Sequence, residues 1–222
     1  MSISSSFTTV QPRSRHLLYA IGVLFLFYTV GIWGLGFSPY TALFQQLVPF
    51  NLLLTNSLLF AFHRDWRGSF LLFMGLAWLI GYGSEWLGVH TGLLFGHYTY
   101  GPTLGLKLWD IPLLIGVNWL MLVYSAGHLS CRIFSHWLPQ AITGALLMVL
   151  LDVLIEPVAI TLDFWTWKDN EIPFSNFIGW FGVALLLQIY FHRTTFRKHN
   201  PLAPWVYLVQ LFFFAALWLQ VR

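Results

Sequence analysis

Two carboxylates, Asp152 and Glu156, stand in a stretch that otherwise reads as hydrocarbon, ITGALLMVLLDVLIEPVAITL. They are four residues apart, so a helix puts them on one face, separated by about 6 Å of rise. A charged Asp at the centre of a bilayer costs roughly 2.5–3.5 kcal/mol on insertion scales, and an intramembrane acid is a functional-site hypothesis by default. No Lys or Arg lies in the middle of any apolar stretch to pair with them. Two like charges in a low-dielectric site do not both ionise easily, which leaves a carboxylic acid able to donate a proton near neutral pH. Glu85, near the outer end of another apolar stretch, is a third candidate. The order of preference for a proton donor is Glu156, Asp152, Glu85, and the split of roles stays open.

Other polar and aromatic residues gather at the same membrane level. Asp110 is a fourth candidate acid; its plain structural role would be to cap the helix that follows, with Pro112 just inside the start. Asn118 lies two turns deeper, where a buried amide can also simply join helices. Asn176 and Trp180, four apart, share a helix face. Trp86, Tyr98, Trp165 and Trp180 could shield a cation, although Trp and Tyr at a membrane boundary also serve as interface anchors. His90 and His97 fit no strong metal-ligand spacing and are grouped with the substrate-lining residues; no metal site is expected.

These residues must be held by membrane helices. Only 9% of the 222 residues are charged, while 58% are hydrophobic and 19% aromatic; a soluble domain has about 25% charged residues. Apolar segments of about 20 residues are needed to cross a bilayer, and seven are read: His16–Leu35, Pro39–Phe62, Gly68–Val89, Ile111–Ser130, Pro139–Leu162, Phe174–His192 and Leu202–Val221, the second open to a break near Pro49. With seven spans, eight of the eleven Lys/Arg (Arg13, Arg15, Arg64, Arg67, Arg132, Arg193, Arg197, Lys198) fall on one side. The positive-inside rule makes that side cytoplasmic, with the N-terminus inside and the C-terminus outside, in what is expected to be a bacterial inner membrane. The acids, Asp65 excepted, lie in the membrane or toward the outer face.

The expected fold is therefore all-α: a polytopic transmembrane bundle, residues 16–222, after a cytoplasmic tail, residues 1–15. The tail is expected to carry no cleavable signal, since the first apolar run is too long for an h-region. Between spans three and four, GSEWLGVHTGLLFGHYTYGPTLGLKLWDIP is rich in Gly and aromatics. Its glycines and Pro102 forbid a continuous helix, and it is expected to be partly re-entrant, over an outer-half cavity. A second aromatic stretch, LDFWTWKDNEIPFSNFIGWFG, joins spans five and six. The single Cys131 excludes an internal disulfide and a thiolate cluster. No HExxH, nucleotide-binding glycine loop or Ser/His/Asp signal is present.

A carboxylic acid, a second carboxylate and many aromatic rings suit protonation of an isolated alkene, with ring faces stabilising the cation. Water or a neighbouring double bond then captures that cation. The segments EWLGVHTGLLFGHYTYGPTLGLKLWDIPLLIGVNW, DVLIEPVA and W-x-W with IPFSNFIGWF resemble the CruF-type carotenoid 1,2-hydratases, over about Gly81 to Leu187. The resemblance implies addition of water, without a cofactor, across the terminal C1=C2 bond of an acyclic carotenoid end group. It also implies a lipid-soluble carotenoid substrate, membrane lipid and other carotenoid-pathway enzymes as partners, and no nucleic acid. A lycopene-type cyclase would share the protonation step. A proton-coupled transporter could also use buried acids, but no internal repeat supports it.

Overall fold

The computed structural model describes residues 12–221; the expected tail up to residue 11, and Arg222, lie outside the described residues. Seven helices follow the seven apolar runs to within four residues at every end: α1 (Pro12–Gly36), α2 (Thr41–Ala61), α3 (Gly68–Thr91), α4 (Leu113–Ile133), α5 (Trp137–Thr161), α6 (Phe174–Arg193) and α7 (Ala203–Trp218). The first six are long and apolar enough to cross a membrane. The seventh has 16 residues, about 24 Å of rise against a hydrocarbon core of about 30 Å. The second span, open to a break near Pro49, is unbroken, and α2 runs through it.

Helix α4 is the hub, touching α2, α3, α5, α6 and α7. Every residue from Trp119 to His128 is buried, the pattern of a helix enclosed on all sides. Small residues let its neighbours approach. A Cβ on Gly127 would lie 2.6 Å from the Phe191 ring, and one on Gly144 would lie 2.6 Å from the Gln188 amide. Gln188 uses that closeness to donate from Nε2 to the Val123 carbonyl at 3.0 Å, an amide joining α6 to α4 inside the apolar core.

The chain is not purely helical. The connection between α3 and α4 contains β1 (Tyr98–Tyr100), β2 (Lys107–Leu108) and β3 (Ile111–Pro112), and the one between α5 and α6 contains β4 (Trp165–Trp167). β2 and β3 form a small hairpin. β1 and β4 pair antiparallel, with Tyr98 opposite Trp167, Thr99 opposite Thr166 and Tyr100 opposite Trp165. Both strands read buried–exposed–buried, because successive side chains of a strand point to opposite faces. The ribbon therefore turns two Tyr and two Trp inward and two Thr outward.

Local chemistry sets where these connections begin. Gly92, at φ +70°, closes α3 in the left-handed conformation and returns its N–H to the Gly88 carbonyl at 2.8 Å, the usual glycine stop. Gly101 N–H donates to the Phe164 carbonyl at 2.9 Å and Lys168 N–H to the His97 carbonyl at 2.9 Å, extending the ribbon's pairing at both ends. Thr103 Oγ1 and Gln45 Nε2 both donate to the Leu162 carbonyl, at 3.1 and 2.8 Å, satisfying an orphan carbonyl at the end of α5.

At the opposite end of the bundle, Tyr124 accepts from Asn200 Nδ2 at 3.2 Å and bonds His63 Nδ1 at 2.7 Å. Asp65 accepts from the Arg197 N–H and Arg67 Nε, both at 2.7 Å. The segments 62–67 and 194–202 are thus fastened to each other and to α4.

Candidate functional site

Three buried carboxyl groups converge near the ribbon. Asp152 and Glu156 stand on α5, as the four-residue spacing requires, and are 0% and 1% exposed; Glu85, on α3, is 3% exposed. Each is held by a distinct donor set. Glu85 Oε2 accepts from the hydroxyls of Tyr98 and Tyr100, at 2.5 and 2.6 Å, and Oε1 accepts from Trp119 Nε1 at 2.8 Å. Glu156 Oε2 accepts from the indoles of Trp165 and Trp167, at 3.0 and 2.7 Å. Its Oε1 accepts from Asn176 Nδ2 at 3.0 Å, and the same nitrogen donates to Asp152 Oδ2 at 2.9 Å.

Asn176 thus bonds both members of the α5 pair with the two hydrogens of one amide nitrogen. No cationic side chain is among the partners of the three acids. Neutral N–H and O–H groups do the work that a salt bridge would do at a soluble site. Asp152 Oδ1 has no hydrogen-bond partner among the described residues.

A cavity of about 400 Å³ opens against this cluster. Its wall includes Glu85, Glu156, Tyr98, Tyr100, Trp165, Trp167, Asn176 and Trp180; the rest is mostly apolar side chains of α1, α2, α4 and α7, with the amides of Asn51, Asn118 and Gln210 among them. Asp152 is set back behind Asn176 and does not form part of the wall. Trp180 lies stacked on Trp119, centroids 4.2 Å apart and rings 19° from parallel. That contact carries the indole of α6 onto the residue that holds Glu85. Gly81 makes room for it, since a Cβ there would lie 2.4 Å from Trp119 Cβ.

Of the residues singled out in the sequence, Glu85, Glu156, Tyr98, Asn118, Trp165, Asn176 and Trp180 meet at this cavity, with Asp152 behind them. Others do not. Asp110 sits exposed in the turn between β2 and β3, with φ +64°. Neither the acid cluster nor the expected cap includes it, because the N-cap of α4 is Pro112. Trp86 is 41% exposed and stacks on His90, centroids 4.9 Å apart. One residue past Glu85 a helix has turned about 100°, so this pair lies on an outer face of α3. His97 is exposed too, its ring packed on Gly92.

The cavity also uses Tyr100 and Trp167, and its acid Glu85 uses Trp119; none of these was singled out as a site residue. Y-x-Y and W-x-W are period-2 patterns in which both rings of a pair share a strand face, and that was the available signal. For Trp119 there was none, because α4 is apolar on all sides and its rotation is not readable.

This arrangement can protonate an apolar molecule, surround a cation with rings and take a proton from water at a second carboxyl. Over 152 residues the chain is 30% identical to the bisanhydrobacterioruberin hydratase of Haloarcula japonica, an alignment covering 63% of this chain and 52% of that protein. The chain thus spans about half the length of that curated relative. No solved structure matches it. The model of a family described as carotenoid biosynthesis protein matches residues 47–222, most of the chain and all of the acid cluster, and the chain belongs to that family.

Proposed function

We propose that this protein is a cofactor-independent carotenoid hydratase that adds water across the terminal C1=C2 bond of an acyclic end group. One observation carries the reading: Glu85 and Glu156, from different helices, line one apolar cavity and are tied to the same aromatic ribbon. The hydratase name of the Haloarcula japonica relative supports it.

In this mechanism the α5 pair holds the proton. Asp152 and Glu156 share one amide and have no cation beside them, so they do not both carry charge. Glu156, the member on the cavity wall, donates the proton to C2. The tertiary cation at C1 lies among Tyr98, Tyr100, Trp165 and Trp180, whose rings attract it. Glu85, with three donors supporting its negative form, takes a proton from the water that attacks C1. Asn118 and Asn176 are amides placed to orient that water. The product is a tertiary alcohol, and the proton lost from Glu156 equals the one gained at Glu85.

The same reading includes seven crossings of the membrane with the N-terminus cytoplasmic, the segment between α3 and α4 partly re-entrant, and one integral domain from residue 16. Two observations support this. The basic segments 62–67 and 194–202 lie at the end opposite the ribbon. Gly105 packs near Pro49, with 3.6 Å from its Cβ position to Pro49 Cγ, eight residues inside α2. Expression in a host that accumulates an acyclic carotenoid, followed by mass analysis of the pigments, tests the function. A gain of one water per modified end is expected, while an unchanged pigment or a cyclised isomer overturns the proposal.

A further inference from the structure

The cavity continues past the acids. Beside Leu104, Ile115 and Phe213, its wall takes in side chains of α1 and α2. Four of the residues there, Phe27, Val30, Leu47 and Phe50, are 47%, 45%, 44% and 68% exposed. A side chain that lines a cavity and is also open on the outside of the bundle marks the mouth of that cavity.

Helices α1 and α2 meet on either side of this mouth. Toward the ribbon, the Phe44 ring fills the space beside Gly34, 2.1 Å from where a Cβ would stand, and packs edge-on against Trp33. Toward the other end, the Tyr28 and Thr55 hydroxyls are 3.2 Å apart. Six residues of α1 and eleven of α2 separate the two contacts, about 9 and 16 Å of helix. A hydrocarbon chain needs roughly 4 Å of clearance, the contact distance of carbon atoms.

The side of the cavity at the acids is closed differently. There the ribbon covers it, presenting Thr99 and Thr166 outward, beside the charged Lys107 and Asp110 of the β2–β3 hairpin. Leu106, Leu108 and Trp109 are exposed on that hairpin but line no part of the cavity, whose wall there, Tyr98, Tyr100, Trp165 and Trp167, is buried. A cavity of about 400 Å³ is also near the small end of pockets that enclose a drug-sized ligand, so it takes one end of a long polyene and leaves the remainder outside.

We infer that the opening between α1 and α2 is a lateral portal. The end group of a bilayer-dissolved polyene enters through it, and the rest of the chain stays in lipid during reaction. This rests on the hydratase reading for the identity of the substrate, but the portal has a readout that needs no turnover. Val30 and Leu47 stand on α1 and α2, which carry none of the three acids, and are half-exposed, so Val30→Trp and Leu47→Trp plug the mouth from outside the cluster.

Each variant, alongside the wild type, is purified from a host that accumulates an acyclic carotenoid, and the pigment retained per protein is measured by absorbance. The expected result is about a tenfold or greater fall in retained carotenoid for the two Trp variants, with an unchanged melting temperature. A short acyclic terpene with the same end group, small enough to sit wholly inside, is the second probe, and the Trp variants should still bind it within about twofold of wild type once equilibrium is reached. Full retention of the long carotenoid by both Trp variants overturns the portal, as does equal loss of the long and short ligands. If the Trp variants lose carotenoid while the wild type yields no hydrated pigment, the portal stands and the hydratase reading fails.

Discussion

Tyr98 and Trp167 are registered partners across the β1–β4 ribbon, their ring centroids 4.9 Å apart, and each donates to a different acid. Tyr98 holds Glu85 of α3, and Trp167 holds Glu156 of α5. Tyr100 and Trp165 repeat the relationship two pairs along, on the same face of the ribbon. Two carboxyls on separate helices are therefore positioned by one six-residue ribbon, and the distance between them is set by strand pairing as much as by helix packing.

Removing the acids should separate their roles. Glu156→Gln and Glu85→Gln each keep the side chain's size and are expected to lower hydration about 10²–10⁴-fold, the usual contribution of a general acid or base. Asp152→Asn, set back from the cavity, should cost less than either. Product mass in pigment extracts, normalised to inserted protein, measures all three. Equal and full activity in Glu156→Gln and Glu85→Gln would remove both from the mechanism.

Asn176 serves two carboxyls, so its truncation should be worse than the loss of one hydrogen bond. Asn176→Ala is expected to lower stability by about 2–4 kcal/mol, since hydrogen bonds to charged groups contribute about 1.5–3 kcal/mol each and buried acceptors are left unmade. Thermal unfolding in detergent reports this. Combining it with Asp152→Asn should give less than the sum of the two single effects, because both act on one network.

Glu85 has three donors of different kinds, which predicts a graded response. Tyr98→Phe and Tyr100→Phe each delete one hydroxyl with no change of shape, at an expected cost of about 1.5–3 kcal/mol apiece. Trp119→Phe deletes a donor and also shrinks the ring stacked on Trp180, so it should exceed either. Melting temperatures rank the three, and a Trp119→Phe variant as stable as wild type would count against the clamp described for Glu85.

Acid sensitivity should arise in part at the opposite end of the bundle. The Arg197 N–H, with help from the Arg67 guanidinium, holds the Asp65 carboxyl below its ordinary value. A carboxyl depressed in the folded state stabilises above its unfolded value and loses that stabilisation as pH falls through the folded one. Wild type should therefore melt higher than Asp65→Asn at neutral pH, and the gap should close below about pH 4. A gap that is constant with pH would mean that Asp65 acts by shape alone.

The sequence shows Asp152, Glu156 and Glu85 plainly, because an acid in hydrocarbon stands out against its neighbours. Helix ends were legible for the same reason: charge and apolar run lengths change together there. Position around a helix axis was not. Trp86 and His90 fell on the outer face of α3, one residue away from the acid that faces inward. Asp110 reads from charge alone as another outer-side acid like Glu85, yet it sits in a hairpin turn that hydropathy does not register. Tyr100 and Trp167 escaped while Tyr98 and Trp165, two positions away, did not, because hydropathy does not show a short strand and its period of two. Only the pairing of two distant connections brings their polar atoms onto the acids.

The two-for-two alternation of the ribbon also limits how this protein can vary. A strand has a period of two, so sliding β1 or β4 by one position exchanges its inward and outward residues. An insertion or deletion of a single residue within Tyr98–Tyr100 would turn Thr99 toward Glu85 in place of two phenols, and the same change in Trp165–Trp167 would present Thr166 to Glu156 in place of two indoles. Connecting loops usually absorb such length changes. Here the two connections should tolerate them only outside the six paired positions, so drift in loop length among functional descendants of this chain is confined to residues flanking the ribbon.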